Sequence, residues 1–171
     1  MLATYLFRLG TVALGSLQRG PLEPLAEARI TLRAWPLDLD TNLHLNNGRY
    51  LTLMDFGRYD QAIRTGLMKA ILRNRWRPML GGASIQFRRE IRAFDRFDLA
   101  TRLVAWDEKW FYMEQRFERD GKVCADALVR GVLKKGRQTI PPAELMRAVG
   151  LDGVSPTSTA PLERRLTANA A

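Results

Sequence analysis

The chain has 171 residues, 46% of them apolar and 26% charged, which is one domain's worth of globular sequence and excludes bulk disorder. Its net charge of +9, carried mostly by arginine, points to acidic ligands such as nucleic acid, anionic lipid or a phosphorylated carrier. The single cysteine, Cys124, excludes an intramolecular disulfide and a Cys-rich zinc site, and fits a reducing compartment.

In chain order, Leu2, Leu6, Leu9, Val12, Ala13 and Leu17 recur at helical spacing. No basic segment precedes this run and Arg8 interrupts it, so residues 1–20 are expected to form an amphipathic helix that packs on the domain or touches a membrane surface. Two prolines and a glycine make residues 18–27 a linker. Ala28, Ile30, Leu32 and Ala34 alternate with Arg29, Thr31 and Arg33, the pattern of a half-buried strand ending at Trp35-Pro36. From Gly48 to about Gly66 the chain reads as a buried helix, with Tyr50, Leu51, Leu53, Met54 and Phe56 apolar on most sides. A short basic helix is expected over 67–76. Four alternating strands follow from Met79 to Leu133, with Asp120-Gly121 as a hairpin turn, and they are expected to form an antiparallel meander. Pro141-Pro142 precedes a short helix, and residues 151–171 are expected to be a disordered tail. The fold class is therefore α+β, with a helix against a curved antiparallel sheet, the domain spanning 21–150.

Residues 38–50, DLDTNLHLNNGRY, hold two carboxylates, three side-chain amides and the only histidine, just before the buried helix. Asp38, Asp40 and Asn42 match the opening of a calcium loop, but Leu43 stands where glycine is needed and Arg49 where a bidentate glutamate belongs. One histidine with no neighbouring cysteine argues against zinc, so no metal is expected. Asn46 or Asn47 is a natural helix N-cap, yet the density of polar groups exceeds what a cap requires. A helix N-terminus supplies unpaired N–H groups and partial positive charge for a polarised carbonyl. A nearby carboxylate can activate water or attack an acyl carbon. A thiol leaving group, with its pKa near 8.5, needs little help from a general acid. Aspartate at a helix mouth therefore suffices for thioester hydrolysis.

The strand, the D-x-D-x-N-x-H-x-N-N-x-x-Y run, the buried helix and the strands that follow resemble the hotdog-fold acyl thioesterases over about residues 28–137. Asp40, Asn42, His44, Asn46, Asn47 and Tyr50 resemble the motif of plant acyl-ACP thioesterases, and Asp40 falls on the catalytic aspartate of the 4-hydroxybenzoyl-CoA thioesterase type. The runs HLNNGRYL, DFGR and TRLVAWD are similar to the thioesterase superfamily member six group. The resemblance implies a sheet wrapped around the central helix, homodimers or homotetramers with active sites between subunits, and an acyl-CoA or acyl-ACP substrate. It implies no cofactor beyond the CoA of the substrate. By it, Asp40 is base or nucleophile, an N–H near Asn47 polarises the thioester, and His44 and Asn42 position water or acyl group. Tyr50, Asp55 and Arg58 are candidate substrate-binding positions, and Arg88 and Arg89 are candidates for the CoA phosphates.

Simpler roles stand beside these. A loop-fixing hydrogen bonder is the alternative reading of His44, and an ordinary i,i+3 helix ion pair that of Asp55 with Arg58. Ser84 lacks a nucleophile elbow, and Cys124 on a strand reads as a small buried apolar residue. The expected activity is hydrolysis of acyl-CoA, fatty acyl by the apolar helix and aromatic strands, in a cytoplasmic setting with membrane contact through residues 1–17. The rivals are a non-catalytic acyl or lipid binder and an acyl-ACP thioesterase. Nucleic-acid binding has only the charge to support it, since no recognition motif is present.

Overall fold

The computed structural model describes residues 2–168; Met1 and residues 169–171 of the expected tail lie outside the described residues. Its elements run α1 (Leu2–Gln18), β1 (Ala28–Arg33), α2 (Asn47–Arg64), α3 (Leu67–Asn74), β2 (Arg77–Phe87), β3 (Arg96–Trp106), β4 (Phe111–Arg119), β5 (Lys122–Lys135), β6 (Gln138–Ile140), α4 (Pro142–Ala148) and α5 (Ala160–Thr167). The antiparallel sheet has the order β1-β3-β4-β5-β2, with β6 pairing the end of β5. It curls around α2, which is the hotdog arrangement that the resemblance implies.

Alternation decides the inner face. Phe97, Leu99, Thr101 and Leu103 of β3, Met113 and Phe117 of β4, and Cys124 and Val129 of β5 are buried. α2 packs against this face through Leu53, Met54, Phe56 and Gly57. Gly57 is where the helix comes closest to the sheet. A Cβ placed on it would lie 2.3 Å from Thr101 Oγ1 and 3.0 Å from Gln115 Nε2, so only hydrogen fits. The turn between β4 and β5 places Asp120 at φ 52° and Gly121 at φ 71°, the left-handed pair that a two-residue hairpin demands.

The strands do not form a simple meander. β3, β4 and β5 are consecutive neighbours, but β2 pairs β5 and β1 pairs β3. The eight residues between β2 and β3 form no tight hairpin, so they carry the chain across the sheet. As an edge strand β2 also tolerates Pro78, whose missing N–H would break a central ladder.

The tail departs from expectation too. α5 docks on the outer face, where Leu166 and Leu162 pack against Ala105, Tyr112 and Leu128. Glu163 accepts from Arg130 at 2.6 Å and also engages the Tyr112 hydroxyl; Arg165 donates to Asp126 at 2.5 Å. Two apolar residues and a set of ion pairs hold a segment whose composition is mostly small and polar.

α1 lies along α2. Tyr5 stacks on Phe56 with centroids 5.3 Å apart, and Asp60 accepts from Ser16 at 2.6 Å and Arg19 at 2.7 Å. Its other side leaves Leu2, Leu6, Phe7, Leu14 and Leu17 exposed. No helix among the described residues is long and apolar enough to cross a membrane.

Candidate active site

The 38–47 loop is built in two layers. At its floor lies Asp38, 1% exposed, in the 3₁₀ turn Pro36–Asp38. Its carboxylate accepts from Arg49 Nη2 at 2.8 Å and Nε at 3.1 Å, from Arg8 at 2.7 Å and from the Trp35 N–H at 3.1 Å. Burial pushes this carboxyl up, but the Arg49, Trp35 and Arg8 contacts more than offset it and hold the group below its ordinary value. Asp38 is a structural anchor joining α1, the loop and α2.

At the rim is Asp40, partly exposed, with its Oδ1 accepting the N–H groups of Asn42 at 2.8 Å and His44 at 3.3 Å. Backbone bonds from Asp40 to His44 and from Leu43 to Asp40 close the same turn, with Leu43 in the left-handed region at φ 60°. Both side-chain bonds fall on Oδ1, so the turn does not engage Oδ2.

The helix mouth follows at once. Asn46 is the N-cap; its Oδ1 accepts from Gly48 N–H at 2.9 Å and its carbonyl from Arg49 N–H at 2.8 Å. The Asn47 N–H, the first donor of α2, takes no partner among the described residues. A partly open carboxylate and an uncommitted helix N–H thus share one short loop.

His44 turns toward the segment after β2: its Nε2 lies 2.8 Å from Glu90 Oε2, and the loop is pinned there by Leu45 N–H to the Ile91 carbonyl at 2.7 Å. Glu90 is a neighbour that nothing in the local sequence marks, since it sits 46 residues away. Asn42 is exposed at the rim.

The remaining predicted positions scatter. Tyr50 is 3% exposed between Phe87 and Phe117, with its hydroxyl pushed up to about 12 chiefly by burial, and belongs to the core beneath the loop. Arg88 pairs with Asp126 at 2.6 Å, while Arg89 is exposed. Cys124 is buried, which pushes its thiol up and disfavours a nucleophilic thiolate. Among the described residues no cluster of three or more potential metal ligands occurs.

Asp55 and Arg58 lie further along α2, at a cavity of about 170 Å³. Asp55 pairs with Arg58, which donates to Gln115 at 2.7 Å; Gln115 in turn donates to Thr101 and to the Met54 carbonyl at 2.9 Å. The cavity walls are mainly apolar, with Met68, Ile71, Met113, Val129, Leu145 and Met146 among them, and Met79 and Leu80 of the β2 edge border it. Gln61 also lines it, fully buried, with neither Oε1 nor Nε2 bonded among the described residues. An unsatisfied buried amide costs about 1–3 kcal/mol. Sequence reading passed over Gln61, although a glutamine four residues after Gly57 and seven after Met54, on the inward face of a buried helix, is the available signal.

Residues 34–149 match the thioesterase-like superfamily. Protein THEM6 of Danio rerio is 37% identical over 135 residues, covering 77% of this chain and 67% of the fish protein. A probable thioesterase of Saccharomyces cerevisiae is 30% identical over 122 residues, covering 69% of this chain and 53% of its own. The chain thus spans between half and two thirds of these relatives. The crystal structure of YbaW, a probable thioesterase from Escherichia coli, superposes with a TM-score of 0.66 at 20% identity, covering 74% of this chain and 97% of that one. The last likeness carries the fold alone.

Proposed function

The chain belongs to the thioesterase-like superfamily, and from that premise we propose that it hydrolyses acyl-CoA to free acid and CoA at the mouth of α2. One observation carries the reading: the Asp40 carboxylate, with Oδ2 outside its own turn, shares a loop with the uncommitted Asn47 N–H.

In this mechanism the thioester carbonyl oxygen accepts from the Asn47 N–H, where the helix dipole favours the developing negative charge. Asp40 removes a proton from water, the resulting hydroxide adds to the carbonyl carbon, and collapse of the adduct breaks the C–S bond. The CoA sulfur leaves as a thiolate and takes up a proton. Direct attack by Asp40, forming a mixed anhydride that water then opens, gives the same products. His44, tied to Glu90, and Asn42 position the water or the acyl group. The apolar cavity supports a fatty acyl group, and Asp55 and Arg58, which line it, are the candidate positions to bind it.

The sites belong to a homodimer or homotetramer. β2 is a free edge whose Met79 (55% exposed), Leu80 (48%) and Phe87 (48%) lack cover in a single chain, and two of these border the cavity. The exposed Arg89 is the candidate for the CoA phosphates, with Arg88 beside it. The exposed Leu6, Phe7, Leu14 and Leu17 row of α1 supports peripheral membrane contact in a cytoplasmic setting.

Thiol release from acyl-CoAs running from acetyl to palmitoyl, with acyl-ACP alongside, tests the reading. Hydrolysis of acyl-CoA by the native chain is the expected result. Silence across the panel with acyl-CoA still bound would replace the enzyme with an acyl-binding protein.

A further inference from the structure

Cations gather where the end of α3, the start of β2 and the end of β5 meet. Residues 61–89 and 127–143 contain no aspartate or glutamate. The sheet brings these two acid-free stretches together, with Arg77 paired to Lys134 and Lys135 to Gln138 across the next turn. Arg73, Arg75, Arg77, Lys134, Lys135 and Arg137 stand at this junction, and none has an acidic partner among the described residues. All but Lys134 are exposed. Elsewhere the sheet sets opposite charges across from each other, as with Arg102 and Glu114, bonded at 2.9 Å. Like charges directly opposite each other, as in Arg77 with Lys134, destabilise a ladder. A repulsion left without a neutralising acid points to an anion from outside the chain.

Two observations narrow that anion. The cavity beside α2 is lined by Pro78 and Leu133, but not by the cations next to them, so the charges present an open surface. Leu72, 68% exposed, stands on the outer side of α3 next to Arg73 and one turn from Lys69. A phosphate backbone gives an aliphatic side chain nothing to bury against, whereas a bilayer interface takes cations and a leucine together. The chain leaving α1 is tied to the end of α2 just before α3 begins, by the Leu22 N–H to the Arg64 carbonyl and by Arg64 Nε to the Gly20 carbonyl, each at 2.9 Å. The exposed apolar row of α1 therefore finishes, at Leu17, at the end of α2 from which α3 departs. We propose that this cationic face binds the anionic phospholipid headgroups of a bilayer, with Leu72 entering the interface. The face goes beyond the contact assigned to α1 and needs no catalysis; arginine suits it because the guanidinium pairs with phosphate oxygens in bidentate fashion.

The test is co-sedimentation of the full chain with phosphatidylcholine vesicles and with the same vesicles carrying phosphatidylglycerol. The native chain is expected to prefer the anionic vesicles, and the preference to fall as salt is raised. At about fivefold per cation, Lys69→Gln/Arg73→Gln/Arg137→Gln should lower anionic binding by about 100-fold and leave neutral binding unchanged. Leu72→Ser should lower it by about tenfold. The control Arg96→Gln/Lys122→Gln/Arg164→Gln removes three exposed cations outside the face and should bind like the native chain. No preference for anionic vesicles would overturn the proposal, and an equal loss in the control would overturn it by showing only a response to total charge. A face triple variant that keeps its vesicle binding but loses affinity for acyl-ACP would also overturn it, giving the face to an acidic protein. Neutral vesicles report the α1 contact and thiol release reports the thioesterase reading, so either can fail while the anionic preference stands.

Discussion

The floor and the rim of the 38–47 loop use the same residue type and differ in how completely it is satisfied. At the floor, Asp38 is sealed from water and meets two guanidinium groups and a backbone N–H. At the rim, Asp40 remains partly open, with its turn bonded to one carboxylate oxygen. A buried carboxylate with every lone pair engaged holds elements together and has nothing left for chemistry; a restrained but accessible one can meet water or an acyl carbon. Two residues of separation, at the end of a 3₁₀ turn, are enough to divide anchoring from reactivity.

That division is most easily broken at the floor. Asp38→Asn leaves Arg8 and Arg49 facing a neutral amide and is expected to cost about 3–5 kcal/mol in urea denaturation. A change within about 0.5 kcal/mol would mean that the pair of arginines is incidental. Next in size is Gly57→Ala, whose new methyl would meet Thr101 Oγ1 at 2.3 Å. Forcing α2 off the sheet is expected to cost about 1–3 kcal/mol and to distort the helix that carries the site. A neutral outcome would show that the helix–sheet contact yields without cost.

A smaller effect sharpens the contrast through pH. Asp38 has its carboxyl lowered on folding, so its contribution to stability is present above the unfolded-state value of about 3.9 and is lost as pH falls through the folded-state value. Glu118, lowered chiefly by its bond from Arg29, acts in the same direction. Denaturation midpoints followed from about pH 6 to about pH 3 should fall, and Asp38→Asn should flatten the part of the slope that Asp38 supplies. An unchanged slope in that variant would remove the ion pair from the account.

Much of the architecture was legible because it is local. Ala28, Ile30 and Leu32 alternate as a half-buried strand must, Asp120-Gly121 supplies the two left-handed residues of a hairpin, and Asn46 has the side chain of an N-cap. What escaped is set by distant partners. The pairing of β2 with β5 depends on a connection that carries no turn signal, and the order of α5 depends on Tyr112, Asp126 and Arg130 waiting on the sheet. In the site, composition marked the loop but could not separate Asp38 from Asp40. The separation depends on Arg8, thirty residues upstream of Asp38, reaching one carboxylate and not the other. Gln61 carried a helix-face signal, but that its buried amide finds no partner among the described residues is set by the fold around it.

The account turns on Asp40, and its most direct test is thiol release from palmitoyl-CoA by the native chain and by Asp40→Asn, with urea denaturation of both. The expected result is a fall in kcat of about 10²–10⁴-fold with stability close to native. Full hydrolysis by a folded Asp40→Asn protein would contradict the assignment of Asp40 as base or nucleophile and move the chemistry away from the mouth of α2.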